Sequence, residues 1–147
     1  MTMRPDLAIF LHSGDYDRVH QAFSVALTAA ALGRQVDIYF FWWALDRLIR
    51  DDFDLPDFAG ALPLAAAPGA RALREAIDER FAEGRFPTAR ELIDSLRGAG
   101  CVHLFACSGS LAILGRRPDA VAGKVEALLG WTTILDRSAG VVDRFVF

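Results

Sequence analysis

The stretch Leu7-Ala-Ile-Phe-Leu11, followed by His12-Ser-Gly-Asp-Tyr-Asp17, decides the fold. Leu7 to Leu11 is an unbroken apolar run of strand length, the form expected of a strand buried on both faces. His12 to Asp17 is polar, contains a glycine, and offers two helix caps, Asp15 and Asp17. Val19, Phe23, Ala26, Leu27, Ala30 and Ala31 then recur at helical spacing, and Gly33 supplies a stop. Buried strand, loop and amphipathic helix in that order open a strand–helix–strand unit.

The pattern repeats outward from there. Val36-Asp-Ile-Tyr-Phe-Phe41 combines β-branched and aromatic residues and reads as a second strand ending at Trp42 and Trp43, with a short helix from Ala44 to Arg50. Asp51 to Pro68 is acidic, then rich in Ala, Pro and Gly, and reads as a surface excursion. Leu73, Ile77 and Phe81 mark a helix over residues 70–82. Thr88 is placed to cap another, carrying Leu92, Ile93 and Leu96. Val102 to Ala106 is the third core strand, with a helical turn through Leu111 to Leu114 stopping at Gly115. Val125 to Leu129 is expected as a fourth strand, Gly130 opens a helix, and Val141 to Phe147 is expected as a fifth strand. Strands alternating with helices imply parallel strands joined by right-handed crossovers. The expected fold is α/β: a Rossmann-like three-layer sandwich on a mainly parallel five-stranded sheet.

Composition limits the function. The 147 residues suffice for one domain with a core, 53% are hydrophobic and 24% charged. A mean hydropathy of +0.26 is high for a small monomer and points to subunit burial. The first helix adds to this, because Ala22, Val25 and Ala29 lie off its main stripe, and a helix apolar on both sides is expected to be buried on both. With a net charge of −3 and no basic stripe, nucleic acid is not expected as a partner. Lys124 is the only lysine and no phosphate loop of the G-x-x-x-x-G-K-[ST] form occurs. No leader pattern and no membrane-length apolar stretch are evident, so a cytoplasmic location without a membrane span is expected. Two cysteines there are expected as free thiols. Cys101 and Cys107 on one extended strand lie ~20 Å apart, beyond disulfide reach.

The loops after the strands share one edge of such a sheet, where open α/β sheets place their ligands. That edge gathers His12, Ser13, Gly14 and Asp15, then Trp42 and Trp43, Cys107 to Ser110, and Gly130 to Thr132. Cys107 ends the third strand where a helix begins. The free N–H groups and dipole of that terminus favour a thiolate, so Cys107 is the candidate nucleophile, with Ser108 and Ser110 beside it. A sulfane sulfur held there would need shelter from solvent, which Trp43 and Trp131 can give. Each residue also has a plainer reading. Cysteine often only packs, Asp15 can simply cap, and His12 can bind a loop carbonyl rather than serve as a base or positive neighbour. The tryptophans can be core or subunit contacts. Cys-x-x-Ser lacks the second thiol of a dithiol oxidoreductase, His103 is too far along its strand to act on Cys107, and His20 is expected at a surface or interface. No residues have zinc-ligand spacing, so neither metal nor cofactor is expected.

Four segments in order carry a family resemblance: Ser13-Gly-Asp15 with its Ala-rich helix to Gly33; Val36 to Leu45 with its aromatic exit; Leu104-Phe-Ala-Cys-Ser-Gly-Ser-Leu-Ala-Ile-Leu-Gly115; and Gly130-Trp-Thr-Thr-Ile-Leu135. The chain resembles the DsrE/DsrF-like family, most closely its peroxiredoxin-like branch. The resemblance implies one domain over residues 1–147 with a variable insertion at about 51–86, and assembly into homo- or hetero-oligomers, often trimers or hexamers. It implies that Cys107 accepts sulfane sulfur as a persulfide and relays it between donor and acceptor proteins, a sulfurtransferase-type role. Where the branch commonly carries methionines around its cysteine helix, this chain has Ser110, Leu111 and Ile113. The alternatives are a non-catalytic subunit that binds a small ligand or partner at the aromatic edge, and a thiol redox sensor, which the missing resolving cysteine disfavours.

Overall fold

In the computed structural model, which describes residues 3–54 and 68–147, five strands form one all-parallel sheet in the order β4-β3-β2-β1-β5. The strands are β1 (Leu7–Leu11), β2 (Val36–Phe40), β3 (Val102–Cys107), β4 (Ala127–Leu129) and β5 (Asp143–Val146). Among the described residues the helices are α1 (Tyr16–Ala31), α2 (Trp42–Arg50), α3 (Ala70–Ala82), α4 (Ala89–Gly98), α5 (Ser108–Ile113) and α6 (Trp131–Arg137), with a 3₁₀ turn at Pro118–Val121. This is the expected α/β sandwich, with the sheet parallel throughout.

Strand order dictates the layers. From β1 to β4 the chain steps in one direction across the sheet, and right-handed crossovers then put the intervening helices on one face. Val19 and Phe23 of α1 and Leu92 and Ile93 of α4 accordingly share a core with Leu7, Ile9, Ile38 and Leu104. From β4 the chain returns past three strands to the far side of β1. The reversed direction moves α6 to the opposite face, where Ile134 packs with Ala8, Tyr39, Phe41, Phe105 and Cys107. Side chains alternate along a strand, so Phe105 and Cys107 point to the α6 face while Leu104 and Ala106 point to the other.

Several boundaries differ from expectation. The helix expected from Ala44 begins at Trp42, whose φ of 43° is left-handed, an uncommon setting for a bulky residue. The cysteine helix begins at Ser108, directly off the strand, rather than at Leu111. Ladder pairing confines β4 to three residues and β5 to four, because only those find neighbours in β3 and β1. Asp15 occupies the N-cap position of α1, but its side chain makes no capping bond; instead its N–H donates to Ser13 Oγ at 3.0 Å. Thr88 caps α4 as expected and forms a full capping box with Glu91.

Of the three residues off the main stripe of α1, Ala22 and Ala29 are buried within the chain, where α1 packs along α4, while Val25 is half-buried beside a groove. His20 likewise has partners in its own chain: its Nε2 is 2.8 Å from the Pro87 carbonyl, and its ring meets Phe81 edge-on. In α3 the expected stripe is a helix, but no residue in it is buried, and Phe81 anchors it against Tyr16 and His20. Of the excursion expected over 51–68, residues 55–67 lie outside the described residues. Among the described residues no helix is long and apolar enough to cross a membrane.

Candidate functional site

The carboxyl edge of the sheet is assembled from four chain segments. Leu11 ends β1, and the backbone N–H groups of His12 and Ser13 both donate to the Phe147 carbonyl, at 2.8 and 3.2 Å. The His12 carbonyl accepts from Ala44 N–H at 3.1 Å, which ties this loop to the start of α2. Gly14 is closely packed there: a Cβ on it would stand 3.1 Å from Trp43 Cβ and 3.2 Å from the Trp43 carbonyl oxygen. Buried Arg47 reaches back from α2 to donate to the Gly14 carbonyl at 2.8 Å and to the Asp52 carbonyl at 3.0 Å.

The two halves of the edge meet through Phe41. The His12 imidazole stacks on it at 4.6 Å and the Trp131 indole at 5.0 Å. Burial holds the His12 pKa below its ordinary 6.5, so the ring is neutral at neutral pH. Its ring is a stacking partner of Phe41, and among the described residues it makes no hydrogen bond to a loop carbonyl.

Cys107 sits at the N-cap of α5 with extended backbone, and its thiol is free. It is only 1% exposed and belongs to the cluster formed by Phe41, Phe105 and Ile134. Its Sγ lies over the first turn of α5, 3.8 Å from where a Cβ on Gly109 would be. Ser108 Oγ faces Gly130 across the edge, 3.6 Å from a Cβ placed there, so the loop after β4 closes on the cysteine helix. Ser110 is buried inside α5, and among the described residues no hydrogen bond joins it to Cys107. Cys101, at the opposite end of β3, is half-buried and contacts the Ala30 carbonyl.

The structure thus gathers His12, Ser13, Gly14 and Trp43 in one corner and Cys107, Ser108 and Trp131 in another, joined by Phe41. Asp15 is drawn into the backbone of its own loop. The three indoles are unequal: Trp131 lies half-exposed on Phe41, whereas Trp43 is 63% exposed and Trp42 projects beside it. No three described His, Cys, Asp or Glu residues are grouped to hold a metal.

Sequence reasoning passed over a second set of residues. Asp37 is 1% exposed on the α6 face of β2. Arg137 at the end of α6 binds it bidentately, with nitrogens 2.9 to 3.2 Å from its two oxygens, and Tyr39 donates to Oδ2 at 2.8 Å. The same guanidinium lies over the Phe105 ring, 4.6 Å from its centroid. Burial, and then the Asp37 carboxylate beside it, push the Tyr39 hydroxyl far above its ordinary pKa, so it remains a donor. A signal existed: a carboxylate in a strand buried on both faces must find a partner. Nothing in the sequence says that the partner is Arg137. No family model matches the chain, and no curated protein matches it.

Proposed function

We propose that Cys107 is a sulfur-carrying thiol in a sulfurtransferase-type relay of the DsrE/DsrF-like kind. The observation that carries the reading is the placement of its Sγ: at the carboxyl end of an interior parallel strand, over the opening turn of the following helix, walled by aromatic rings. The Cys107 thiolate attacks the terminal sulfur of a donor persulfide. A new S–S bond forms on Sγ, the donor S–S bond breaks, and the donor leaves as a thiolate. An acceptor thiolate then attacks the terminal sulfur and releases Cys107 as thiolate, with no external oxidant. Neutral His12 is a proton acceptor at the same edge, and the apolar cluster shelters the persulfide from water.

Incubation with a persulfide donor followed by intact mass tests this. One added sulfur is expected on the wild-type chain and none on Cys107→Ser; equal uptake by both would end the reading. The reading includes a homo-oligomer, trimer or hexamer, supported by the groove between α1 and β5, where Val25, Leu32 and Phe145 lie beside the Arg34–Asp143 ion pair.

The near-complete burial of Cys107 favours a second reading, a binding subunit in which the thiol packs and the exposed indoles hold a ligand or partner chain. A folded chain whose Cys107 takes up no sulfur would select it.

A further inference from the structure

We propose that Gly109 is the entrance to Cys107. Its missing side chain leaves a thin place in the wall around Sγ, which admits donors whose terminal sulfur ends an unbranched, slender chain, of which a hydropolysulfide is the simplest. The inference rests on the sulfur-carrier reading and deepens it, because it names the class of donor that the buried thiol can meet.

Cys107 is 1% exposed, with Phe41, Phe105 and Ile134 in its cluster and Leu129 of β4 beside it in register. Gly109 is different: it is exposed, and a Cβ built on it would stand 3.8 Å from Sγ. Apart from its two neighbours in sequence and the backbone of its own helix, no other described atom comes within 4 Å of that position. The gap therefore has solvent on one side and the sulfur on the other. Gly14 is the contrast, since the place of its missing Cβ is already crowded by Trp43 at 3.1 Å. The backbone does not ask for glycine at 109, because the residue lies within α5 and its φ is not positive. Glycine is a poor helix former there and alanine a good one. Attack on sulfur runs along the axis of the breaking S–S bond, so the terminal sulfur must meet Sγ at about 3–3.5 Å while the rest of the donor trails outward. A gap the width of one absent side chain passes a row of sulfur atoms, and not a branched carbon or a ring. The Cys107 thiolate takes the terminal sulfur with its proton, the S–S bond behind it breaks, and that electron pair leaves on the shortened polysulfide. A methyl group at 109 would stand in this path without a clash, because 3.8 Å is an ordinary van der Waals contact.

The rate of Cys107 alkylation by iodoacetamide, in a Cys101→Ala parent chain and across urea concentrations below the unfolding transition, tests the entrance. The folded parent should react in water at a rate with a much weaker urea dependence than global unfolding. Gly109→Ala should react about tenfold more slowly, since its methyl displaces the reagent from near-attack geometry. Gly98→Ala is the control: it too replaces a helical glycine with open space at its Cβ, but ahead of β3, and its rate should stay within about twofold of the parent. N-phenylmaleimide, which carries a ring, should be slower relative to iodoacetamide on the folded chain than on the urea-unfolded one. No reaction of the folded parent, a urea slope equal to that of global unfolding, a Gly109→Ala rate within about twofold of the parent, equal slowing by Gly98→Ala, or the same ratio of the two reagents folded and unfolded would each overturn the proposal. Sodium tetrasulfide and intact mass then separate the two readings. Alkylation that depends on Gly109 without sulfur uptake keeps the entrance and removes the carrier; sulfur uptake that ignores Gly109→Ala keeps the carrier and removes the entrance.

Discussion

Replacing Arg137 by methionine is the most informative single perturbation of this fold. Asp37 is almost wholly buried, and its carboxylate has two sources of hydrogen bonds: the bidentate guanidinium of Arg137 and the hydroxyl of Tyr39. Removing the guanidinium leaves a buried negative charge with one neutral donor, a change that costs about 3–5 kcal/mol where one member of a buried pair is deleted. Loss of the cation from the Phe105 face adds about 0.5–1 kcal/mol, although methionine recovers part of that packing. This is a large share of the roughly 5–15 kcal/mol that holds a domain of this size together. The cost arises from the stranded charge and not from the lost bond, so neutralising the partner should reverse most of it. Asn at position 37 still accepts from Tyr39. Arg137→Met with Asp37→Asn is therefore expected to be about 2 kcal/mol more stable than Arg137→Met alone. Urea unfolding of the wild type, both single variants and the double variant completes the cycle. A double variant no more stable than Arg137→Met would refute the reasoning, because the buried carboxylate would then not be the source of the cost.

Two further outcomes follow from the edge of the sheet. Gly14→Ala should destabilise the chain by about 1–3 kcal/mol, since the added methyl meets the Trp43 backbone, which is itself tied to the same loop; urea unfolding reads it, and a neutral result would show that the contact yields freely. His12 should titrate below its ordinary 6.5 in the folded chain. The unfolded chain then binds that proton more readily, so the His12 contribution to stability is complete above about pH 6.5 and is lost as pH falls through the folded value. Imidazole NMR shifts against pH measure it, and a His12 pKa at or above 6.5 would contradict the burial argument.

How much of the site was legible depended on how local its cause is. The glycine-bearing loop after β1 and the cysteine after β3 were visible because a strand end followed by a helix start is written in consecutive residues. Asp15 holds the N-cap position as expected, but its side chain makes no capping bond, since whether a carboxylate reaches the first-turn N–H groups depends on loop geometry within an ångström. The Trp42 backbone was also hidden: a left-handed tryptophan is disfavoured locally, and contacts among Leu11, His12, Phe41 and Ala44 hold it there. Phe41 as the shared platform for His12 and Trp131 depends on elements ninety residues apart.

By itself, the sequence determined the alternation of buried strands and amphipathic helices, hence a parallel α/β sheet with Cys107 at its carboxyl edge. Hydrophobic period and glycine stops act over a few residues and need no knowledge of the whole. Tertiary structure alone decided that α6 lies on the opposite face from α1 and α4, that its Ile134 shares a cluster with Cys107, and that Arg137 closes on Asp37. Those outcomes follow from strand order, and strand order is set by which distant surfaces pack best, a comparison no local stretch of chain contains.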